Sequence, residues 1–207
     1  MKYRLHTIGH SNQSQEDFLG LLQRHDINCV VDVRSVPASK HNPQFNEDAL
    51  RAFLLGKGID YQFFGYEFGA RRTDSINQDG QVDFEQAVKT VLFRQGVGRL
   101  QSLMAERNVT LMCSEADPLE CHRFALVARY FHEQGVLVSH ILGNGTAVAH
   151  QDLERQMVAR YLHAKRPLLS DVDELFGSYT PAQQLADAYR LKNKEIGYRQ
   201  DVTEYYD

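Results

Sequence analysis

Val109-Thr-Leu-Met-Cys113-Ser-Glu115-Ala-Asp117-Pro-Leu-Glu120-Cys121-His122-Arg123 joins an apolar, β-branched run to a polar segment that carries helix-start signals. The run from Val109 reads as a buried strand. Asp117 is placed to cap a helix, Pro118 suits its first position, and Glu120 has the spacing to close a capping box. This sets Cys113, Ser114 and Glu115 at the carboxyl end of a strand. It sets Cys121, His122 and Arg123 on the first turns of the next helix. Strand followed by helix is the unit of an α/β fold, and ligands bind at the carboxyl ends of its strands.

The same alternation extends outward. Tyr3–Ile8 predicts a first strand, which turns at Gly9 into His10 and Ser11. Ser14 with Asp17 caps a helix that carries Phe18, Leu21 and Leu22 on one face. Cys29–Arg34 is a near-continuous apolar run of the buried parallel kind, and the pleat sends Asp32 and Arg34 to the same side. Asn46 opens a short helix over Leu50, Phe53 and Leu54, and Ile59–Phe64 is a third strand. A glycine-rich loop from Gly65 to Gly80 is long enough to be read as functional. Asp83 starts a helix that Gly96 and Gly98 break before a second stretch from Arg99 to Arg107. A helix then runs to Gln134, and Val136–Ile141 is the last strand. The predicted architecture is a three-layer α/β domain over residues 1–150, a mostly parallel twisted sheet flanked by helices. A helical C-terminal extension over 151–207 packs on it, broken at Pro167 and Pro181 and frayed from Tyr198 onward.

At 207 residues, with 43% hydrophobic and 24% charged residues, the composition is that of one soluble globular domain. A net charge of −4 gives no global footprint for nucleic acid or anionic membrane, so a nucleic-acid partner would need a local basic patch. No apolar run reaches transmembrane length, and Met1–His6 shows no signal-peptide apolar region. Three cysteines cannot all pair, which points to a reducing, cytoplasmic setting. Oligomeric state is not legible.

Arg34 and Arg123 should approach the same edge of the sheet, where Ser11, Ser35 and Ser114 offer hydroxyl donors. The helix start near Pro118 adds free N–H groups, so the set suits a small anion. The plainer alternative is that the arginines pair internally with Asp32 and Glu115. His10 and His122 are the acid–base groups, with Glu115 as partner or alternative base. Cys113 is a nucleophile if a cation lowers its pKa, although Glu115, Asp117 and Glu120 oppose that. The arginine that a cysteine-phosphatase loop needs soon after its cysteine is replaced by Leu119, and Arg123 lies ten residues on. Cys113, Cys121, His122 and His10 are zinc-ligand types, but their spacing matches no knuckle, and Cys121 and His122 should diverge on a helix. No metal is assigned, and no cofactor is specified. Arg71 and Arg72 with Tyr61, Phe64 and Tyr66 would make a basic, aromatic lip, and His140 and His150 would rim the cleft.

Several of these segments form an ordered series: Thr7-Ile-Gly-His-Ser11, Asp32-Val-Arg34-x-x-Pro37-x-Ser39, Gly58-Ile-x-Tyr61 and Tyr66-Glu-Phe-Gly69. Cys113-x-Glu115-x5-Cys121-His-Arg123 and His140-Ile141 continue it. Over roughly the first two-thirds of the chain this resembles the family called domain of unknown function 488. Phe68-Gly69-Ala70 departs from the Leu-Gly-Gly expected there. The resemblance implies a compact α/β domain with these motifs near one another, and it supplies no reaction.

Three functions follow from the residues. The first is an enzyme, a hydrolase or transferase, acting on a small anionic, phosphate- or nucleotide-like substrate at the strands' carboxyl ends. The second is a non-catalytic nucleotide or nucleic-acid binding module. The third is a thiol or metal regulatory protein that uses Cys113 and Cys121.

Overall fold

In the computed structural model, which describes residues 3–163 and 179–200, one sheet of six strands runs through the protein. The strands are β1 (Arg4–Gly9), β2 (Cys29–Asp32), β3 (Asp60–Phe63), β4 (Val109–Cys113), β5 (Leu137–Ile141) and β6 (Ala147–Ala149). They lie in the order β3-β2-β4-β1-β5-β6. The first five pair in parallel, and β6 returns antiparallel on β5. Sequence reading ends the sheet at Ile141. Ala147-Val-Ala149 is too short to display an alternation, and it becomes a strand through its turn, where Leu142 N–H donates to the Thr146 carbonyl.

Helices α1 (Gln15–Arg24) and α2 (Glu47–Leu55) follow β1 and β2, when the chain steps toward the β3 edge. After β3 the chain steps back, through the short α3 (Gly65–Phe68) and α4 (Phe84–Ala87), then α5 (Val91–Glu106). After β4 comes a π-helical stretch, Arg123–Ala128, that continues as α6 (Arg129–Glu133). Right-handed crossovers in opposite directions put helices on opposite faces. Phe18, Leu22, Phe45, Leu50 and Leu54 accordingly pack with Ile8, Val30 and Met112 in one core. Phe93, Leu100, Phe124 and Phe131 pack with Leu5, Val31 and Leu111 in the other. This is the three-layer α/β architecture. Two further helices, α7 (His150–His163) and α8 (Pro181–Ile196), add Leu153, Met157, Ala188 and Tyr189 to that second core. No helix among the described residues is long and apolar enough to cross a membrane.

Several helix boundaries differ from the sequence reading, each for a local reason. The helix expected to run from Asp83 toward Gly96 ends at Ala87, and Thr90 caps a new one through Phe93 N–H. Gly96 and Gly98 lie inside α5. A Cβ on Gly96 would stand 2.6 Å from the Glu67 Cβ and 2.9 Å from the Phe68 ring, so that glycine serves close packing on α3. Asn46 begins α2 without a side-chain cap, because its carboxamide accepts from Ser39 N–H instead. Pro181 starts α8 rather than breaking a helix, behind a capping box of Thr180 and Gln183. Pro167 lies outside the described residues. Tyr198 and Gln200 are not frayed: the Tyr198 carbonyl accepts from Val82 N–H, and Gln200 N–H donates to Gly80. The tail beyond Gln200 is outside the described residues.

Candidate functional site

The pleat decides the site. Leu5, Thr7 and Gly9 point to the α5/α6 face of the sheet, and so do Val31, Val33, Leu111 and Cys113. His10, Asp32 and Arg34 point to the α1/α2 face, where they meet Phe45 and Tyr61. The polar residues at the carboxyl ends of β1, β2 and β4 therefore form two half-sites back to back.

On the α1/α2 face the fully buried Asp32 accepts from Arg34 N–H (3.0 Å), from its Nε (2.9 Å) and Nη2 (2.5 Å), and from Tyr61 Oη (2.6 Å). Arg34 also donates to the Phe45 carbonyl at 2.8 Å and to His10 Nε2 at 3.2 Å. Guanidinium groups only donate, so His10 Nε2 is an acceptor and Nδ1 carries the proton given to the Ser11 carbonyl at 2.8 Å. His10 stacks on Phe45, and burial pushes its pKa down to about 4. Both ring nitrogens are occupied. Arg34, read as an anion ligand, instead neutralises Asp32. Ser35 accepts from Arg71 N–H, and Ser114 is exposed.

On the other face the segment after β4 departs from the expected helix. The Asp117 carboxylate takes Leu119 N–H at 2.8 Å, which makes a single 3-10 turn, Pro118–Glu120. That turn's N-terminus is thus filled by the chain's own carboxylate rather than left for an anion. Glu120 closes no capping box, because Arg160 holds it at 2.8 Å and Lys192 at 3.5 Å. Cys121 is extended (φ −137°, ψ 141°) and the helix resumes at Arg123. Cys121 and His122, expected to diverge, converge instead. His122 Nδ1 lies 3.9 Å from Cys113 Sγ and 3.8 Å from Cys121 Sγ. His122 Nε2 lies 3.0 Å from the Val33 carbonyl, which can only accept, so Nε2 carries the proton and Nδ1 faces the sulfurs. Arg123 N–H also points at Cys121 Sγ, at 3.4 Å.

All three side chains are buried. Burial alone raises the Cys121 thiol, but the Cys113 hydrogen bond, the Arg123 guanidinium and His122 hold it below its ordinary value. Cys113 is raised, because it donates to Cys121 and because it is buried. Cys121 is thus the more acidic thiol of the pair, rather than Cys113, the one favoured from sequence.

Arg123 is fully buried and ties the loop above it, donating to the carbonyls of Glu115 (2.7 Å) and Ala116 (3.2 Å). Its Nε has no hydrogen-bond partner among the described residues. Gly9 makes room for this arrangement. A Cβ there would stand 2.7 Å from the Glu115 carbonyl carbon and 3.1 Å from Arg123 Nη2. Gly9→Ala should therefore destabilise the protein by about 1–3 kcal/mol, read as a lower urea midpoint. An unchanged midpoint would show that the loop yields freely.

Above this floor opens a cleft of about 590 Å³, lined by Gly9, Ser11, Gln13, Arg24, Ala116 and Asn144 among others. Glu16 and Asp17 stand on one lip. Sequence reading passed over Arg24, which looks like an ordinary last-turn helix cation. It is exposed, donates one long bond (3.4 Å) to the Asn144 carbonyl, and has no ion pair among the described residues. Glu115 is also exposed, its side chain at 43%, and its carboxyl is raised by partial burial and by Cys121.

Two other expected features take different forms. Arg72 is buried on Asp74 and the Glu67 carbonyl, Phe64 is buried and Tyr61 is bound to Asp32, so no aromatic lip forms. His140 and His150 do not rim the cleft. They are fully buried in a chain from Thr7 Oγ1 to His140 (2.8 Å), to His150 (3.0 Å), to Tyr189 Oη (2.9 Å) and on to Glu154 (2.8 Å).

Fold and site together define an open, mostly parallel α/β protein with a polar, thiol-containing centre at the carboxyl ends of its middle strands. Residues 14–130, more than half of the chain, match the family model described as Domain of unknown function DUF488. The chain belongs to this family. No curated protein and no solved structure matches it significantly. The match takes in β2 to β4 and the Cys113–Arg123 segment, and it leaves β1 and β5 outside.

Proposed function

We propose that the protein is an enzyme acting on a small substrate with one anionic, phosphate-like group, bound in the cleft over the ends of β1 and β4. The observation that carries this reading is Arg24, an exposed cation on a cleft wall otherwise rich in amide and hydroxyl groups. Arg34 and Arg123, with their donors turned inward, hold the floor in shape. Ser11, Gln13 and Asn144 suit the uncharged part of a nucleoside-like ligand. Glu16 and Asp17 on the lip disfavour a polyanion, which argues for a monoester rather than a nucleic-acid strand. Glu115, with its raised carboxyl next in sequence to the cleft-lining Ala116, is the candidate acid–base group. The enclosed thiols take no nucleophilic role.

Calorimetric titration with a nucleoside monophosphate and with inorganic phosphate tests this. Arg24→Ala should weaken binding by about ten- to a hundredfold, the worth of one charge-assisted hydrogen bond. Equal affinity in that variant would refute the cleft as the anion site. Binding without turnover in wild type and in Glu115→Gln alike would favour the non-catalytic module.

A further inference from the structure

The thiol half-site has a geometry that the cleft does not explain. Cys113 Sγ, Cys121 Sγ and His122 Nδ1 lie within 4.8 Å of one another, and both sulfur–nitrogen separations are 3.8–3.9 Å. A tetrahedral ion about 2.3 Å from sulfur and about 2.0–2.1 Å from nitrogen holds such donors about 3.6 Å apart. The three atoms therefore already stand near the corners of one face of a coordination tetrahedron. The sulfur–nitrogen pairs would close by a few tenths of an ångström, and the two sulfurs, within 4.8 Å of each other, by up to about 1 Å, to complete it.

The surroundings fit the same occupant. His122 Nε2 is bound to the Val33 carbonyl, which turns the Nδ1 lone pair toward the sulfurs and fixes the tautomer a metal requires. Arg123 N–H points at Cys121 Sγ, an outer contact that supports a thiolate ligand. A divalent ion would neutralise two thiolates in a region without water-exposed sulfur, which answers the cost of burying them. Glu115, two residues after Cys113, has a half-exposed carboxylate, so the open fourth position suits a carboxylate or solvent.

We propose that Cys113 Sγ, Cys121 Sγ and His122 Nδ1 form a binding site for a thiophilic divalent cation of the zinc type. This does not rest on the cleft reading, and its test uses neither substrate nor activity. Two sulfurs and one imidazole select zinc over magnesium or calcium, which prefer oxygen. The sequence argues against such a site on two grounds, a spacing that matches no knuckle and the placement of Cys121 and His122 on one helix; only the second concerns geometry. The extended Cys121 removes that objection.

Full-length protein, reduced and stripped with chelator, is titrated with Zn²⁺ and separately with Co²⁺. The expected result is one equivalent bound, with Co²⁺ giving thiolate charge-transfer absorption and the visible bands of a tetrahedral ion. Cys113→Ser and Cys121→Ser should each lower Zn²⁺ affinity at least about a hundredfold, more than loss of an outer-shell contact costs. Cys29→Ser, in a different part of the core, should not. X-ray absorption of the Zn²⁺-loaded wild type needs no variant and should show two sulfur neighbours near 2.3 Å. No stoichiometric binding, or a zinc shell of nitrogen and oxygen alone, would overturn the proposal.

Discussion

Lowering the pH from 7 to 5 should remove about 4 kcal/mol of stability through His10 and His150, with His140 acting in the same direction, a large part of what a domain of this kind possesses. Three buried histidines set this expectation. In the folded chain burial holds His150 at about 3, His10 at about 4 and His140 well below its ordinary value, against 6.5 for an unburied imidazole. Neighbouring cations add to burial at each: Arg34 at His10, His150 and Arg123 at His140, and His132 and Arg129 at His150. The unfolded chain therefore binds more protons between about pH 3 and 6.5. A group whose folded pKa is depressed in this way gives full stability above the unfolded pKa and loses it as pH falls toward the folded value. At pH 5 that is about 2 kcal/mol each for His10 and His150, and His140 shifts stability in the same direction. Urea midpoints measured from pH 7.5 to 4.5 should fall steeply below pH 6.5, and His150→Gln should flatten the slope. A midpoint independent of pH would mean that these histidines are not buried neutral groups.

Asp32→Ala should cost about 3–5 kcal/mol, as expected when one partner of a buried ion pair is removed. Asp32 is the acceptor for three Arg34 donors and for Tyr61 Oη, all in the interior. Without it the Arg34 guanidinium remains buried with only the Phe45 carbonyl and His10 as acceptors among the described residues. The loss should come from stranded charge rather than from lost volume. Adding Arg34→Met should thus recover a large part of it, because a well-packed apolar replacement of a buried pair is often near neutral. If the double variant is as unstable as the two single losses summed, the pair contributes by packing instead.

Five strands, their parallel order of appearance and most helix starts are legible in local pattern. Ser14 caps α1, Asp83 caps α4 and Asp117 caps its turn as their spacing indicates. Gly96 was not legible, because its neighbours Glu67 and Phe68 come from α3, far away in sequence. Of the residues singled out in the sequence, Ser11 lines the cleft while His10, Arg34, Cys113, His122 and Arg123 are buried, and the arrangement differs from the sequence reading in two ways. Alternation from Ile8 puts His10 on the α1/α2 face, while alternation from Leu111 puts Cys113 on the other. That parity was available and separates the arginine–aspartate cluster from the thiols. The extended Cys121 was not available. It depends on the 3-10 turn at Pro118 ending where Glu120 is drawn to Arg160 and Lys192, partners on α7 and α8.

The central claim is that the carboxyl ends of β1 and β4 form a ligand-binding floor. Amide chemical-shift mapping during titration with a nucleoside monophosphate tests it most directly. The account predicts perturbations gathered at Gly9–Gln13, Arg24, Ala116 and Gly143–Asn144, around the cleft. Perturbations gathered on another face, or none at saturating ligand, would contradict it.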